Sequence, residues 1–368
     1  MSMRLCFFIF LLPLFLAAQQ PDFYVWQRKH TPELQGAVTE VQKFSESRFY
    51  FLAGELENDG SVTQISPPAF PELLIKRVTP VIRIHINHLQ TPPDKLARQV
   101  IKLYLPWQKC RSLQIDLDAP ESKLSYYTDL MKELRRILRK TTLSATVLPC
   151  HLNRKNEFSQ LAKVCDFYVL QVHGLEKRNG KFSILDRNTA LKAVAAAINL
   201  KSPFKLALPF YSHNINNTVI KPDMDFVGNI ARFAAMQKIG VIIFRLGIPG
   251  DGEALSAFTA RQICKSGKHT PEIRHFWQYS DDGAWYLYIK NHGNFSENIT
   301  LDLTWKDGFV ISDADTFNNA ELSFDRKTLK LTLPPDQEDK LCMWLRTTAS
   351  FDSNTTPLTI TRKENPDK

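Results

Sequence analysis

After residue 18 the chain holds no apolar run near the length of about 20 residues that a membrane-spanning helix requires. It also lacks C-x-x-C, H-E-x-x-H and G-x-S-x-G, which sets aside a redox dithiol, a zinc-protease helix and a serine-hydrolase elbow. No nucleic-acid motif is present, and the positive charge is spread without a long block, so no nucleic-acid partner is expected. The Gly-rich phosphate loop of a doubly wound sheet is missing too: Trp26-Gln27-Arg28-Lys29 follows the first apolar run instead.

What is present begins with a targeting segment. Residues 1–18 give a short basic start at Arg4, an apolar stretch from Cys6 to Leu16, and the small pair Ala17-Ala18. This is the pattern of a cleaved signal peptide, and the expected location is secreted or periplasmic, in a bacterial envelope. No cysteine follows the alanines, so no lipid anchor and no stable membrane anchor are expected after cleavage; an uncleaved N-terminal anchor is the alternative. The net charge of +9 becomes +8 without Arg4, a balance that suits anionic partners such as acidic glycans or lipid headgroups. Five cysteines remain, Cys110, Cys150, Cys165, Cys264 and Cys342. An odd number leaves at least one unpaired, and buried apolar cysteines are the simpler reading.

The 368 residues suffice for one domain of about 250 residues and a smaller one. Eight short apolar runs, rich in Val, Ile, Phe and Tyr, read as strands. They are Asp22 to Gln27, Arg48 to Leu56, Pro80 to Asn87, Ser112 to Ala119, Leu143 to Pro149, Cys165 to Gly174, Phe204 to Ser212 and Gly240 to Ile248. Helical spacing fills most gaps and is clearest from Ser122 to Lys140; the gap holding Pro67, Pro68 and Pro71 predicts a short or missing helix. Strand–helix alternation repeated eight times predicts an α/β fold, a (β/α)8 TIM barrel over residues 19–268. Beyond it, alternating strands and turn clusters predict a small antiparallel β-sandwich over residues 269–348, then a polar, flexible tail over 349–368.

Strand side chains alternate faces. In Ser112-Leu-Gln-Ile-Asp-Leu-Asp-Ala119, Leu113, Ile115 and Leu117 meet the helices, while Gln114, Asp116 and Asp118 point into the barrel. Asp118 then lies near the C-terminal mouth, where active sites of this fold sit. The same rule offers Glu55 from the second strand, Arg83, His85 and Asn87 from the third, Gln171 and His173 from the sixth and Tyr211 from the seventh. It adds Arg245, flanked by outward Phe244 and Leu246, from the eighth, with Trp26 as a stacking platform beside the first.

Buried charges need partners, so Arg83 and Arg245 are expected to face Glu55 and Asp116. A structural ion-pair network filling the barrel is one reading. The excess of His, Tyr, Trp and Gln near the mouth favours a site. Glycoside hydrolysis needs two carboxylates, or one and a substrate group. Asp116 and Asp118 have Cα atoms on the order of 6.6 Å apart and raise one another's pKa. The expected roles are acid for Asp118, its proton-holding partner for Asp116, and second carboxylate for Glu55. The seventh strand supplies no Asp or Glu. A non-catalytic envelope barrel binding a glycan or a protein is the second hypothesis. The third is a metal-dependent hydrolase using His85, Asp116, Asp118 and His173. No cofactor is called for. The loop Gly247-Ile-Pro-Gly-Asp-Gly252 reads as a tight turn, and Asp251 and Glu253 as helix-start acids.

Leu52-Ala-Gly-Glu-Leu56, Gln114-Ile-Asp-Leu-Asp-Ala-Pro120, Leu170-Gln-Val-His-Gly174 and Phe244-Arg-Leu-Gly247 together resemble an uncharacterised bacterial secreted family, domain of unknown function 3142. The resemblance implies a glycoside-hydrolase-like barrel without an established activity. Asp116-Leu-Asp118 is also similar to the fourth-strand D-x-D-x-E motif of family-18 chitinases. Those enzymes place the acid two residues after the second Asp and use the substrate N-acetyl group as nucleophile. Here that position is Pro120, with Glu121 one residue later. A one-residue shift reverses a strand side chain, so Glu121 reaches the site only if the strand ends before Pro120.

Overall fold

The computed structural model describes residues 20–178, 180–215, 218–267, 273–291, 297–306, 310–333, 339–347 and 358–362. The targeting segment and most of the polar tail lie outside the described residues.

Eight parallel strands close into a barrel: β1 (Asp22–Val25), β2 (Phe49–Leu56), β3 (Val78–Ile84), β4 (Ser112–Asp116), β5 (Thr142–Val147), β6 (Phe167–Gln171), β7 (Phe204–Pro209) and β8 (Gly240–Phe244). Closure runs through β1, which pairs with β2 at Tyr24 opposite Tyr50 and with β8 at Phe23 opposite Ile243. Helices follow each strand: α1 (Pro32–Phe44), α2 (Glu72–Ile75), α3 (Pro93–Tyr104), α4 (Leu124–Ile137), α5 (Lys155–Val164), α6 (Arg187–Asn199), α7 (Met224–Met236) and α8 (Ala257–Ser266). The proline-rich gap leaves α2 a single turn, as its composition predicts. No helix among the described residues is long and apolar enough to cross a membrane.

The longer helices pack apolar stripes on the barrel. In α3 the stripe is Leu96, Ala97, Val100, Leu103 and Tyr104; in α4 it is Leu124, Tyr127, Leu130, Met131 and Leu134. These spacings put the buried side chains on one helical face, against Leu113 and Ile115 of β4 in the main core. Trp107 is fully buried in that core and donates its indole N–H to the Ile65 carbonyl at 2.8 Å.

A second, smaller cluster fills the barrel itself: Tyr24, Tyr50, Val81, Val169, Ala207 and Ile242, capped by Trp26 and Phe244. At the N-terminal end Lys205 pairs with Asp22 at 2.6 Å and lies over the Tyr50 and Phe167 rings. These groups plug that end, and the polar side chains of the barrel gather at the other.

The strands stop earlier than the apolar runs suggest. β4 ends at Asp116, β6 at Gln171 and β8 at Phe244, so Asp118, His173 and Arg245 stand on the loops that leave the mouth. β2 carries a bulge at Ala53: Leu52 lies opposite Val81, but Gly54 lies opposite Ile82. Phe49, Phe51 and Ala53 face the helices, so unbroken alternation would send Glu55 outward as well. The extra residue reverses the phase and turns Glu55 into the barrel.

Past residue 272 two four-stranded antiparallel sheets appear. One orders β9 (Ile273–Tyr279), β10 (Trp285–Asn291), β15 (Lys340–Thr347) and β12 (Ile311–Thr316). The other orders β13 (Glu321–Leu322), β14 (Thr328–Leu333), β11 (Glu297–Trp305) and β16 (Leu358–Arg362). Trp285, Leu287, Ile289, Met343 and Leu345 of the first meet Ile299, Leu301, Leu303, Leu329 and Leu331 of the second, the core of a small sandwich. Residues 358–362, read from the sequence as part of a flexible tail, form an edge strand on β11. All five cysteines among the described residues are free thiols.

Trp107→Ala is expected to cost about 3–5 kcal/mol, read as a lower urea midpoint; a loss below about 1 kcal/mol would mean that this part of the shell does not pack as described.

Candidate active site

Gln114 and Asp116 point inward from β4, as alternation requires. Gln114 is fully buried and donates from Nε2 to the Tyr24 hydroxyl at 2.5 Å and to Thr146 Oγ1 at 2.8 Å. Asp116 sits one layer above it, also buried, and Asp118 stands at the solvent end, on the loop.

Burial drives the Asp116 carboxyl up to about 7, with the Asp118 charge adding to the rise and Arg83 opposing it. The enclosing wall raises Asp118 as well, although its side chain reaches solvent; Arg83 and His151 pull it back. The two carboxyls titrate as a pair.

Glu55 is fully buried and does not stand free. It accepts two hydrogen bonds from Arg28, from Nε at 2.5 Å and Nη2 at 3.0 Å, and Arg83 Nη1 lies 3.6 Å away. The expected Arg83–Glu55 pairing is present. Arg28, in the loop after β1, is a partner that the sequence reading missed.

Arg245 departs from expectation. Phe244, read as outward, turns inward and packs on Tyr24, Trp26, His173 and Tyr211. The Phe244–Arg245 peptide is cis. Arg245 pairs with Asp251 at 3.2 Å and Glu253 at 3.4 Å in the following loop, and not with Glu55 or Asp116. Asp251 and Glu253 thus hold Arg245 rather than the start of α8, whose cap is Ser256. Gly247 is required where this loop packs closely, because a Cβ there would lie 2.3 Å from the Leu255 carbonyl oxygen.

His173 and Tyr211 form the opposite wall. His173 is buried, its Nδ1 lies 3.4 Å from the Tyr211 hydroxyl, and its Nε2 has no partner among the described residues. Burial lowers His173 to about 3 and raises Tyr211 to about 12, so both are neutral near pH 7. Gln171 donates to the His173 carbonyl at 3.2 Å. Trp26, half-buried, leans on Tyr24 and Phe244.

His85 and Asn87 lie at the rim, beyond the end of β3. His85 Nδ1 accepts from the Asn87 N–H at 3.3 Å and caps a 3-10 turn, and Asn87 donates to the Asn58 carbonyl at 3.0 Å. Both tie loops together. Glu121 opens the 3-10 turn Glu121–Lys123, where its charge bears on His151 and Cys150.

His151 is a further group that the sequence reading missed. Fully buried, it accepts the Leu148 N–H at Nδ1 (3.2 Å), so Nε2 carries the proton and donates to the Ala119 carbonyl at 2.7 Å. The ring staples the loops after β4 and β5 directly behind Asp118. Burial keeps it neutral. Its signal in the sequence is only a lone histidine after a strand.

Among the described residues no group of three or more His, Cys, Asp or Glu side chains could hold a metal ion. His85, Asp116, Asp118 and His173 do not converge as a ligand set.

Residues 76–248 match the model of a family described as a domain of unknown function, DUF3142. No curated protein matches the chain in sequence. Similar solved structures include active domain 2 of a thermostable chitinase from Pyrococcus furiosus, complexed with chito-oligosaccharides (12% identity, 61% of this chain and 84% of that one, TM-score 0.40). A chitinase from Ipomoea carnea is also similar (9%, 67% and 100%, TM-score 0.40), as is a xylanase and α-amylase inhibitor protein from Scadoxus multiflorus (10%, 61% and 93%, TM-score 0.39). At these scores the likenesses carry no further argument, and the barrel assignment rests on strand order and closure.

The raised Asp116 pKa has a thermodynamic sign. Unfolded, the carboxyl ionises near pH 4; folded, it holds its proton to higher pH, so the stability it contributes is complete at low pH and is lost as pH rises from about 4 through 7. Asp116→Asn should match wild type in urea at pH 4 and become progressively more stable than it toward pH 7. A gap that is constant or shrinks with pH would contradict this burial.

Proposed function

We propose that the chain is a secreted glycan-acting protein of glycoside-hydrolase-like build, with Asp118 as its proton donor. The observation that carries this reading is the Asp116–Asp118 pair at the open end of a plugged barrel, both raised by desolvation. A carboxyl whose hold on its proton is strengthened by burial and which still reaches solvent is suited to protonate a leaving glycosidic oxygen. Asp116, deeper and more shielded, shares that proton and recharges Asp118.

Arg83 keeps the pair from becoming wholly neutral. His151 fixes the loop that presents Asp118. Glu55, held by Arg28 and Arg83, serves as electrostatic support rather than as base or nucleophile. The attacking group is then a water or a group of the substrate itself; in either case one water is consumed, and the proton it gives up returns to the Asp116–Asp118 pair that protonated the leaving oxygen. His173, Tyr211, Phe244 and Trp26 form the neutral, partly aromatic wall against which a sugar ring packs. The signal-like pattern of residues 1–18 supports the secreted part of this reading.

One observation favours a second reading, a barrel that binds glycan without cleaving it. Pro120 occupies the position of the chitinase acid, and Glu121 lies in a turn beside His151.

The mature chain from Gln19, incubated with glycan panels and read by mass spectrometry, should release product. Asp118→Asn should reduce turnover by about 10²-fold or more while the fold is kept. Full turnover in that variant removes Asp118 from the mechanism; glycan retention without product in either protein supports the binding barrel.

A further inference from the structure

The cluster around Glu55 is arranged inside out for a structural ion pair. Its acid is the buried member, with 1% of its side chain exposed, while Arg28 and Arg83 are 59% and 44% exposed. Two guanidinium groups are supplied, one from the loop after β1 and one from the end of β3, and Glu57 also acts on Arg28 through its charge.

Their donors are largely unspent. Arg28 uses Nε and Nη2 on Glu55, and among the described residues Nη1 donates to no protein group. Arg83 lies 3.6 Å from Glu55, beyond hydrogen-bond length, and among the described residues it donates no hydrogen bond. Arg83 also acts on Asp116 and Asp118 through its charge, which places it between the Glu55 cluster and the carboxyl pair. The two-point grip of Glu55 fixes the Arg28 plane in advance, so little side-chain freedom remains to be lost on binding.

We infer that Arg28 and Arg83 form an anion subsite beside the carboxyl pair, and that the glycan carries a carboxylate-bearing sugar one position away from the bond at Asp118. A planar guanidinium with free N–H groups matches a planar carboxylate. The exposed, strand-anchored Arg83 then bridges recognition and chemistry. The excess positive charge of the chain, +9, favours approach of an acidic polymer. This inference rests on the glycan reading above and narrows its substrate class to acidic glycans.

The test is an array of acidic oligosaccharides, each printed beside its carboxyl-reduced counterpart, probed with the mature chain. Wild type should retain at least one acidic member about tenfold or more tightly than its reduced partner. Arg28→Gln should abolish that preference. Because Arg28→Gln leaves Glu55 with only the distant Arg83, the double variant Arg28→Gln/Glu55→Gln, which buries no unpaired acid, should lose the preference in the same way. Equal retention of both members of every pair, or a preference that survives in both variants, overturns the anion subsite and leaves the glycan reading standing. No retention of any member overturns both.

Discussion

Closure of the barrel through β1 imposes the constraint on which the site depends. With Tyr24 laddered to β2 and Phe23 to β8, the eight parallel strands close on themselves, and at the mouth Val62–Gln64 adds an antiparallel strand to Gly54–Leu56 of β2. The Asp22–Lys205 pair and the aromatic rings around it stop the N-terminal end. Every polar side chain placed inside must then pair within a few ångströms or reach the single open mouth. Asp116 does neither completely, and a group denied both water and a full counterion holds its proton.

The charged groups at the mouth divide by partner. Glu55 binds Arg28 and Arg83, Arg245 binds Asp251 and Glu253 of its own loop, and Asp116 and Asp118 have chiefly one another and the outlying charge of Arg83. The neutral wall of His173, Tyr211 and Phe244 contributes no counter-charge, because burial keeps its histidine unprotonated. The asymmetry puts the perturbed acids beside the basic sector and leaves the opposite face for ring packing.

Much of this was legible in the chain. The eight strands and the change of grammar near residue 270 follow from apolar periodicity, and Gln114-Ile-Asp116 fixes its own phase because polar and apolar residues alternate strictly. Gly240-Val-Ile-Ile-Phe244 offers no such phase. With every residue apolar, alternation counted from the lone Arg245 points that side chain inward, whereas Ile242 and Phe244 occupy the interior. The bulge at Ala53 has no signature in Leu52-Ala-Gly-Glu-Leu56, yet it aims Glu55. Arg28 and His151 stand on loops, where no periodicity reports direction, and their roles come from contacts distant in sequence. Ile311–Thr316 and Leu358–Arg362, short and polar, carry little apolar periodicity of their own and pair at the edges of Lys340–Thr347 and Glu297–Trp305.

The central claim is that barrel closure raises the Asp116–Asp118 pair as a unit. Carboxyl NMR titration of the mature chain with labelled aspartate measures it directly. The account predicts two coupled steps, one of them near neutral pH, and loss of that late step in Asp116→Asn. Two independent titrations near the ordinary aspartate value of about 4 would contradict it.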